Sequence, residues 1–133
     1  MRLYKIISNL LDYPDREIIE NLDELIQIID NSFEINRSEK ESLLTFINWM
    51  SGQSVIEIQQ EYVKTFDMTP EHSLHLTHHI FGDDKERGPA LIDLQEHFKK
   101  EGFEMKPGEI PDYLPLLLEY VATLDEHDAG AFL

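Results

Sequence analysis

Helical periodicity dominates the pattern of hydrophobic and polar positions along the chain. Between Pro14 and Asn31 the apolar residues recur three and four positions apart, as on one face of an α-helix: Ile18, Leu22, Leu25 and Ile29, with Ile19 and Ile26 beside them. Pro14 suits a first turn, and Asp15 and Glu17 complement the positive end of the helix dipole. The segment is predicted to form one amphipathic helix.

Two capping boxes mark further helix starts. Ser38 with Glu41, and Ser54 with Glu57, each match the pattern S-x-x-E just ahead of an apolar-periodic run. Thr69 and Pro70 resemble an N-cap and a first-turn proline, which predicts a helix through about Phe81 that Gly82 ends.

The last third of the chain predicts two more helices. One follows Gly88-Pro89 and ends in a basic turn with a C′ glycine at Gly102. The other begins with Asp112 as its cap and carries one apolar face: Leu114, Leu117, Val121 and Leu124. Sustained strand alternation is missing from the sequence. We therefore expect residues 1–133 to form one all-α domain, a bundle of about six or seven helices.

Composition narrows the class of protein. The chain has 133 residues and a formal charge of -16, so it repels phosphate backbones and anionic lipids. We expect no nucleic-acid partner. It has no cysteine, which excludes disulfides and thiolate metal sites. The first twelve residues do not resemble a signal peptide, and no run approaches the ~20 apolar residues of a membrane span. These features predict a cytoplasmic protein without membrane insertion.

Four histidines fall within eight residues, and on a continuous helix His72, His75 and His79 would share one face. Three imidazoles on one face can contribute to a zinc or nickel site, so a His-cluster metal protein is one hypothesis. The alternative is ordinary surface or half-buried histidines, because no H-E-x-x-H motif accompanies them. We expect no resident cofactor.

Motifs of catalysis are missing from the sequence. It contains neither G-x-S-x-G nor a glycine-rich phosphate loop. The pair Asp83-Asp84 is interpreted as a solvated turn and not as a general acid–base pair. We expect a protein that is not an enzyme.

Acidic residues concentrate in the second half of the chain. Residues 1–66 hold 12 acids and 6 bases, a net of -6, whereas residues 67–133 hold 15 and 5, a net of -10. Asp112, Glu119 and Glu126 are spaced by seven and would stack on one side of a final helix, with Tyr113 and Tyr120 between the acidic and apolar faces. Such a stripe is either a solvated face or part of a groove for a peptide that is both basic and apolar.

Several separated motifs resemble one family, the NarJ branch of the NarJ/TorD/DmsD redox-enzyme maturation chaperones. In chain order they are Leu10-Leu11-Asp12-Tyr13-Pro14, Tyr62-Val63-Lys64-Thr65-Phe66-Asp67, Ser73-Leu74-His75-Leu76, Arg87-Gly88-Pro89-Ala90, Glu109-Ile110-Pro111-Asp112-Tyr113-Leu114-Pro115 and Leu118-Glu119-Tyr120. The resemblance covers about residues 10 to 125. Family members are usually longer, so we expect a truncated form or a minimal member that lacks C-terminal helices.

The resemblance implies a TorD-like helical chaperone. Such proteins bind the N-terminal, twin-arginine-like segment of a molybdoenzyme's catalytic subunit, here that of a molybdenum-dependent nitrate reductase, until molybdenum cofactor is inserted. We expect a monomer or weak dimer. A generic helical protein–protein adapter remains the second alternative.

The expected peptide-binding residues combine the motifs with the acidic and aromatic pattern. They are Tyr62, Phe66, Asp67, Arg87, Glu109, Asp112, Tyr113, Glu119 and Tyr120. Two alternatives stay open within this set. Tyr62 and Phe66 are four residues apart and suit a core equally well. Arg87 either contacts the peptide or ties its loop to Asp67 or Asp112.

Overall fold

The structure, a computed structural model, describes residues 2–82 and 85–133. Within these ranges the chain forms nine α-helices and no strand: α1 Arg2–Leu11, α2 Arg16–Glu20, α3 Leu22–Asp30, α4 Arg37–Ser51, α5 Val55–Tyr62, α6 Leu76–Phe81, α7 Arg87–Lys100, α8 Leu114–Val121 and α9 Glu126–Phe132. A π turn, Val63–Asp67, and a 3-10 turn, Pro70–His72, follow α5. The all-α class is confirmed. The count exceeds six or seven because α1 and α9 were not predicted and the helix expected from Pro14 to Asn31 is divided.

That division lies at Asn21, where φ is -102° and ψ is 14°. The Asn21 N–H bonds to the carbonyls of Glu17 and Ile18, which closes α2 with a tight turn before α3 begins. Asparagine has a low helix propensity and is a frequent helix terminus, so the prediction of one continuous helix was wrong. The apolar face survives the break, since Leu22 and Ile29 are buried.

The structure confirms the predicted N-cap at Ser54, whereas the N-cap of α4 lies two residues earlier than predicted. Ser54 caps α5, accepting a bond of 3.2 Å from the Glu57 N–H. The predicted box at Ser38 is wrong, because Asn36 caps α4. Its Oδ1 accepts from the Glu39 N–H at 2.8 Å, and Glu39 accepts from the Asn36 N–H at 3.2 Å.

The continuous helix predicted from Thr69 to Phe81 is also wrong. After the 3-10 turn the chain becomes extended and forms an isolated antiparallel bridge between His75 and Tyr113. The Leu114 N–H donates to the Leu74 carbonyl at 2.8 Å, so distant backbone satisfies groups that a helix would have paired locally. Gly82 ends α6 as expected, with a φ of 57°.

Two hydrophobic clusters make up the interior, and α1 reaches both. Ile6 and Leu10 of α1 belong to the first cluster with α3, α4 and α5. Tyr4 packs against the second, which centres on Phe98 and α8. The Ser8 hydroxyl of α1 donates to the Pro115 carbonyl of α8 at 2.5 Å. This packing brings residues near position 10 beside residues near position 115.

The end of α7 matches its sequence signal. Gly102 has a φ of 76°. Its N–H bonds to the Lys99 carbonyl, and the Phe103 N–H reaches back to the Phe98 carbonyl. The rings of Phe98 and Phe103 pack with centroids 5.4 Å apart. None of the helices in the described part of the chain is long and apolar enough to cross a membrane.

Candidate functional site

Two neighbouring hollows lie beside the end of α1, and the second of them reaches the start of α8. The first, the apolar groove, has a volume of about 390 Å³ and is lined mainly by α1, α4, α5 and the π turn. Its apolar lining residues are Ile7, Leu10, Leu11, Pro14, Leu43, Phe46, Trp49, Met50, Ile58, Tyr62 and Phe66. Phe46 and Trp49 stack with centroids 6.0 Å apart, and each is 42% exposed.

The second hollow, the acidic cleft, has a volume of about 460 Å³. Four carboxylates line it, from Asp12, Asp67, Glu109 and Glu119, together with the phenols of Tyr13, Tyr62 and Tyr113. Tyr62 lines both hollows, so the apolar groove and the acidic cleft are neighbours that share one wall.

Six of the nine residues expected in the site line these hollows. Five are in the acidic cleft: Tyr62, Asp67, Glu109, Tyr113 and Glu119. Phe66 lines the apolar groove, and its ring lies 4.9 Å from that of Tyr62. Both Tyr62 and Phe66 are half-buried, so their four-residue spacing reflects a groove wall and not the closed core.

The tyrosines join the two ends of the chain. The Tyr113 hydroxyl shares a short hydrogen bond with the Tyr62 hydroxyl and donates to Asp12 Oδ1 at 3.1 Å. Burial raises the pKa of Tyr62 to about 12, and the nearby carboxylates of Asp12 and Asp67 act in the same direction. Burial also raises the pKa of Tyr113, as does its bond with Tyr62. Both phenols are therefore protonated near neutral pH, and the Tyr113 proton is donated to Asp12.

Glu119 occupies the rim of the cleft. Its carboxylate lies 3.5 Å from the ammonium of Lys5 on α1, and the two side chains are 47% and 50% exposed. Glu109 is half-buried and accepts a bond of 2.8 Å from the Lys106 N–H. Asp67, at the end of the π turn, is exposed to solvent. With Asp12 directly after α1, the four cleft acids thus come from four separate segments of the chain.

Asp112 is not among the acids that line the cleft, and two predictions made for it, as a helix cap and as part of an acidic stripe, are wrong. It is not the cap of α8, whose N-cap is Tyr113, and its side chain is fully buried. Oδ2 accepts from the Thr77 N–H at 2.9 Å and the Thr77 hydroxyl at 2.5 Å. The predicted stripe is also absent, because Asp112 precedes α8 and Glu126 lies in α9.

Of the alternatives that the sequence left open for Arg87, the structure shows the contact with Asp112. Its Nε donates to Thr77 Oγ1 at 3.0 Å, and its Nη2 lies 3.7 Å from Asp112 Oδ2. Tyr120 likewise lies inside, 4% exposed, with its hydroxyl 2.9 Å from His97 Nε2. The expectation that Tyr120 lies between an acidic and an apolar face was wrong, because α8 is buried on nearly every side.

The histidines do not converge. His72 Nδ1 faces the Thr65 carbonyl at 3.2 Å, His75 Nδ1 lies 3.3 Å from Asp112 Oδ1, and His79 Nε2 lies 2.7 Å from the Ser73 carbonyl. The break before α6 removes the shared face on which the metal hypothesis depended. No group of three His, Asp or Glu side chains placed to hold a metal ion occurs in residues 2–82 and 85–133. The pair Asp83-Asp84 lies outside the described residues.

Sequence reasoning missed several lining residues. Asp12 and Tyr13 lie within the first family motif, yet only the packing of α1 on α8 reveals that they face the cleft. Phe46 and Trp49 are large apolar residues on α4 that remain partly exposed, a property that periodicity alone does not report.

Comparison with known proteins agrees with the motifs. The family model described as nitrate reductase delta subunit matches residues 11–132. The chain is 32% identical over 124 residues to the nitrate reductase molybdenum cofactor assembly chaperone NarJ of Escherichia coli, covering 93% of this chain and 52% of that protein. It is 34% identical over 125 residues to the probable chaperone NarJ of Bacillus subtilis, covering 92% and 65%. The chain thus spans about half to two thirds of the length of these relatives. With the family model matching nearly its whole length, the chain belongs to the nitrate reductase delta subunit family.

Proposed function

We propose that the chain acts as an assembly chaperone for a molybdenum-dependent nitrate reductase, binding the N-terminal, twin-arginine-like segment of the catalytic subunit. In this role it assists molybdenum cofactor insertion and does no chemistry itself. The names of its relatives support the role, since NarJ of Escherichia coli is a nitrate reductase molybdenum cofactor assembly chaperone. We further propose that it works in the cytoplasm as a monomer or weak dimer.

The observation that carries the proposal is that the apolar groove and the acidic cleft lie side by side, with Tyr62 lining both. A leader segment combines arginines with an apolar run. Carboxylates pair with guanidinium groups through charge-assisted hydrogen bonds, and aromatic faces attract the same cations. The groove offers the stacked rings of Phe46 and Trp49 to the apolar run.

The charge of the chain favours the same class of ligand. A net charge of -16 steers a basic peptide toward the protein, and the four cleft acids give the encounter a specific end point. Because exposed charge pairs are screened by salt, affinity for the peptide should fall as ionic strength rises.

Isothermal titration calorimetry with a synthetic peptide of the client's N-terminal segment tests the proposal. We expect saturable binding that weakens roughly two- to fivefold in Glu119→Gln and in Asp67→Asn, the range for one partly exposed charge pair. Glu96→Gln, an exposed glutamate on α7, is the matched control and should bind like the wild type.

A peptide with both arginines replaced by glutamine separates charge from apolar contact. We expect it to bind more weakly to the wild type and to be insensitive to Glu119→Gln. Failure of the wild type to bind the native segment, with capture of another protein instead, would favour a general adapter and refute the chaperone assignment.

A further inference from the structure

The most buried charged side chain in the described part of the chain, Asp112, is surrounded by polar groups from His75, Thr77 and Arg87. Two of them come from Thr77, through its N–H and its hydroxyl. His75 Nδ1 and Arg87 Nη2 lie 3.3 Å and 3.7 Å from the two carboxylate oxygens. A carboxylate with no exposed surface cannot pair with an arginine of an incoming peptide.

The Thr77 hydroxyl links the members of this group. It donates to Asp112 Oδ2 and accepts from Arg87 Nε at 3.0 Å. Thr77 is itself buried, and Arg87 is 31% exposed. The Asp112 Oδ2, the Thr77 hydroxyl and the Arg87 Nε therefore each have a partner within the group.

Tyr113 follows Asp112 directly, in an extended conformation with φ of -65° and ψ of 120°. Because Tyr113 is the next residue, the bonds that hold the buried Asp112 carboxylate also fix where the Tyr113 side chain begins, and that side chain lines the acidic cleft. The backbone is held too, since the Leu76 N–H donates to the Asp112 carbonyl at 3.1 Å. At its other end the Tyr113 phenol reaches Tyr62 and Asp12.

We propose that Asp112, Thr77 and Arg87 form a positioning unit that holds Tyr113 against Tyr62 at the junction of groove and cleft. The three residues act through Tyr113 and do not touch the peptide. The effect on peptide binding rests on the proposed function, whereas the effect on Tyr113 does not. Two residues expected to bind the client, Arg87 and Asp112, thereby act on the site from behind it.

Tyrosine-labelled protein and nuclear magnetic resonance test the unit directly. The chain has five tyrosines, and Tyr113→Phe identifies the Tyr113 ring signal by its loss. In Thr77→Val, which removes only the hydroxyl, we expect the ring signals of Tyr113 and Tyr62 to shift. Thr77→Ser restores the hydroxyl and should return both signals. Thr45→Val, an exposed threonine on α4, is the matched control and should leave both in place.

Peptide affinity supplies the second measurement, made at a temperature where circular dichroism shows every variant folded. We expect Thr77→Val to weaken binding roughly fivefold, the equivalent of one hydrogen bond. Thr77→Ser should bind like the wild type. If Thr77→Val does not fold, Arg87→Gln perturbs the unit from its more exposed end and should shift the same two signals.

The outcomes separate the two proposals. Unshifted Tyr113 and Tyr62 signals in a folded Thr77→Val protein would overturn the positioning unit, whatever the peptide does. Shifted signals in a protein whose wild type binds no peptide would support the unit and refute the chaperone assignment. An equal loss of affinity in Thr45→Val would show a general effect and count against the unit.

Discussion

Neutralising Asp112 and neutralising Glu119 should have different consequences, although both residues are acids and lie seven positions apart. Asp112→Asn keeps the shape of the side chain and removes its charge. Glu119→Gln does the same at the cleft rim. We expect the first substitution to lower the free energy of unfolding and the second to lower peptide affinity.

The magnitude at Asp112 follows from its contacts. Two hydrogen bonds from Thr77 end on Oδ2, at 2.9 Å and 2.5 Å. A hydrogen bond to a charged group contributes about 1.5–3 kcal/mol and a neutral one about 1 kcal/mol. Asparagine can still accept both bonds through its amide oxygen but loses the charge assistance, so we expect a cost of about 2 kcal/mol. That corresponds to a fall of roughly 8 °C in the melting temperature for a chain of this size.

The magnitude at Glu119 is smaller. Its ion pair with Lys5 spans 3.5 Å between side chains about half exposed. Such pairs contribute up to about 1 kcal/mol and often less, and removing one negative charge from an acidic protein offsets part of that loss. We expect unfolding of Glu119→Gln to stay within roughly 0.5 kcal/mol of the wild type.

Urea unfolding followed by circular dichroism measures both variants, with equal slopes required for the comparison. A change below about 0.5 kcal/mol in Asp112→Asn would contradict the buried bonds described for the carboxylate. An equal destabilisation of Glu119→Gln would contradict the difference in burial on which the prediction depends.

Three further outcomes follow from the site. Lys5→Gln should strengthen binding of a basic peptide roughly twofold, because the Lys5 ammonium competes with the peptide for the Glu119 carboxylate. Lys40→Gln makes the same change in net charge and is the control in calorimetry. Trp49, the single tryptophan, should shift its emission to shorter wavelength when the peptide covers it, and an unchanged spectrum at saturation would exclude contact there. Burial raises the pKa of Tyr62 to about 12, so the native state holds the phenol proton more tightly than the unfolded chain does. The protonated phenol therefore stabilises the native state fully below about pH 10, and this stabilisation is lost toward pH 12. Tyr62→Phe should flatten this decline in urea midpoints between pH 9 and pH 12.

Local chemistry in the sequence predicted the helix ends that depend on one or two residues. Ser54 and Gly102 act as cap and C′ glycine because their bonds reach only three to five positions along the chain. Asn36 displaced Ser38 as a cap for the same local reason. Two candidate caps lay within one turn, and the backbone geometry selected the earlier.

Long-range pairing decided the rest. The helix expected from Thr69 to Phe81 breaks where Leu74 and Leu76 bond with Leu114 and Asp112, about 38 positions away. Periodicity describes which face of a helix is apolar, but it carries no information about a distant strand-like segment that competes for the same backbone groups. The shared face of the histidines disappeared with that helix.

The acidic cleft shows the same limit at the level of the site. Tyr113 bonds with Asp12 across 101 positions of sequence, and α1 packing on α8 brings the two together. The motifs and the spacing gave no reason to treat Glu119 and Asp112 differently. Residues seven positions apart lie on one face only while the backbone stays helical between them. Asp112 lies in the turn before α8 and bonds inward to Thr77, whereas Glu119 lies on α8 and remains at the rim. Burial, which no spacing rule reports, therefore determines which of the two acids can meet a basic partner.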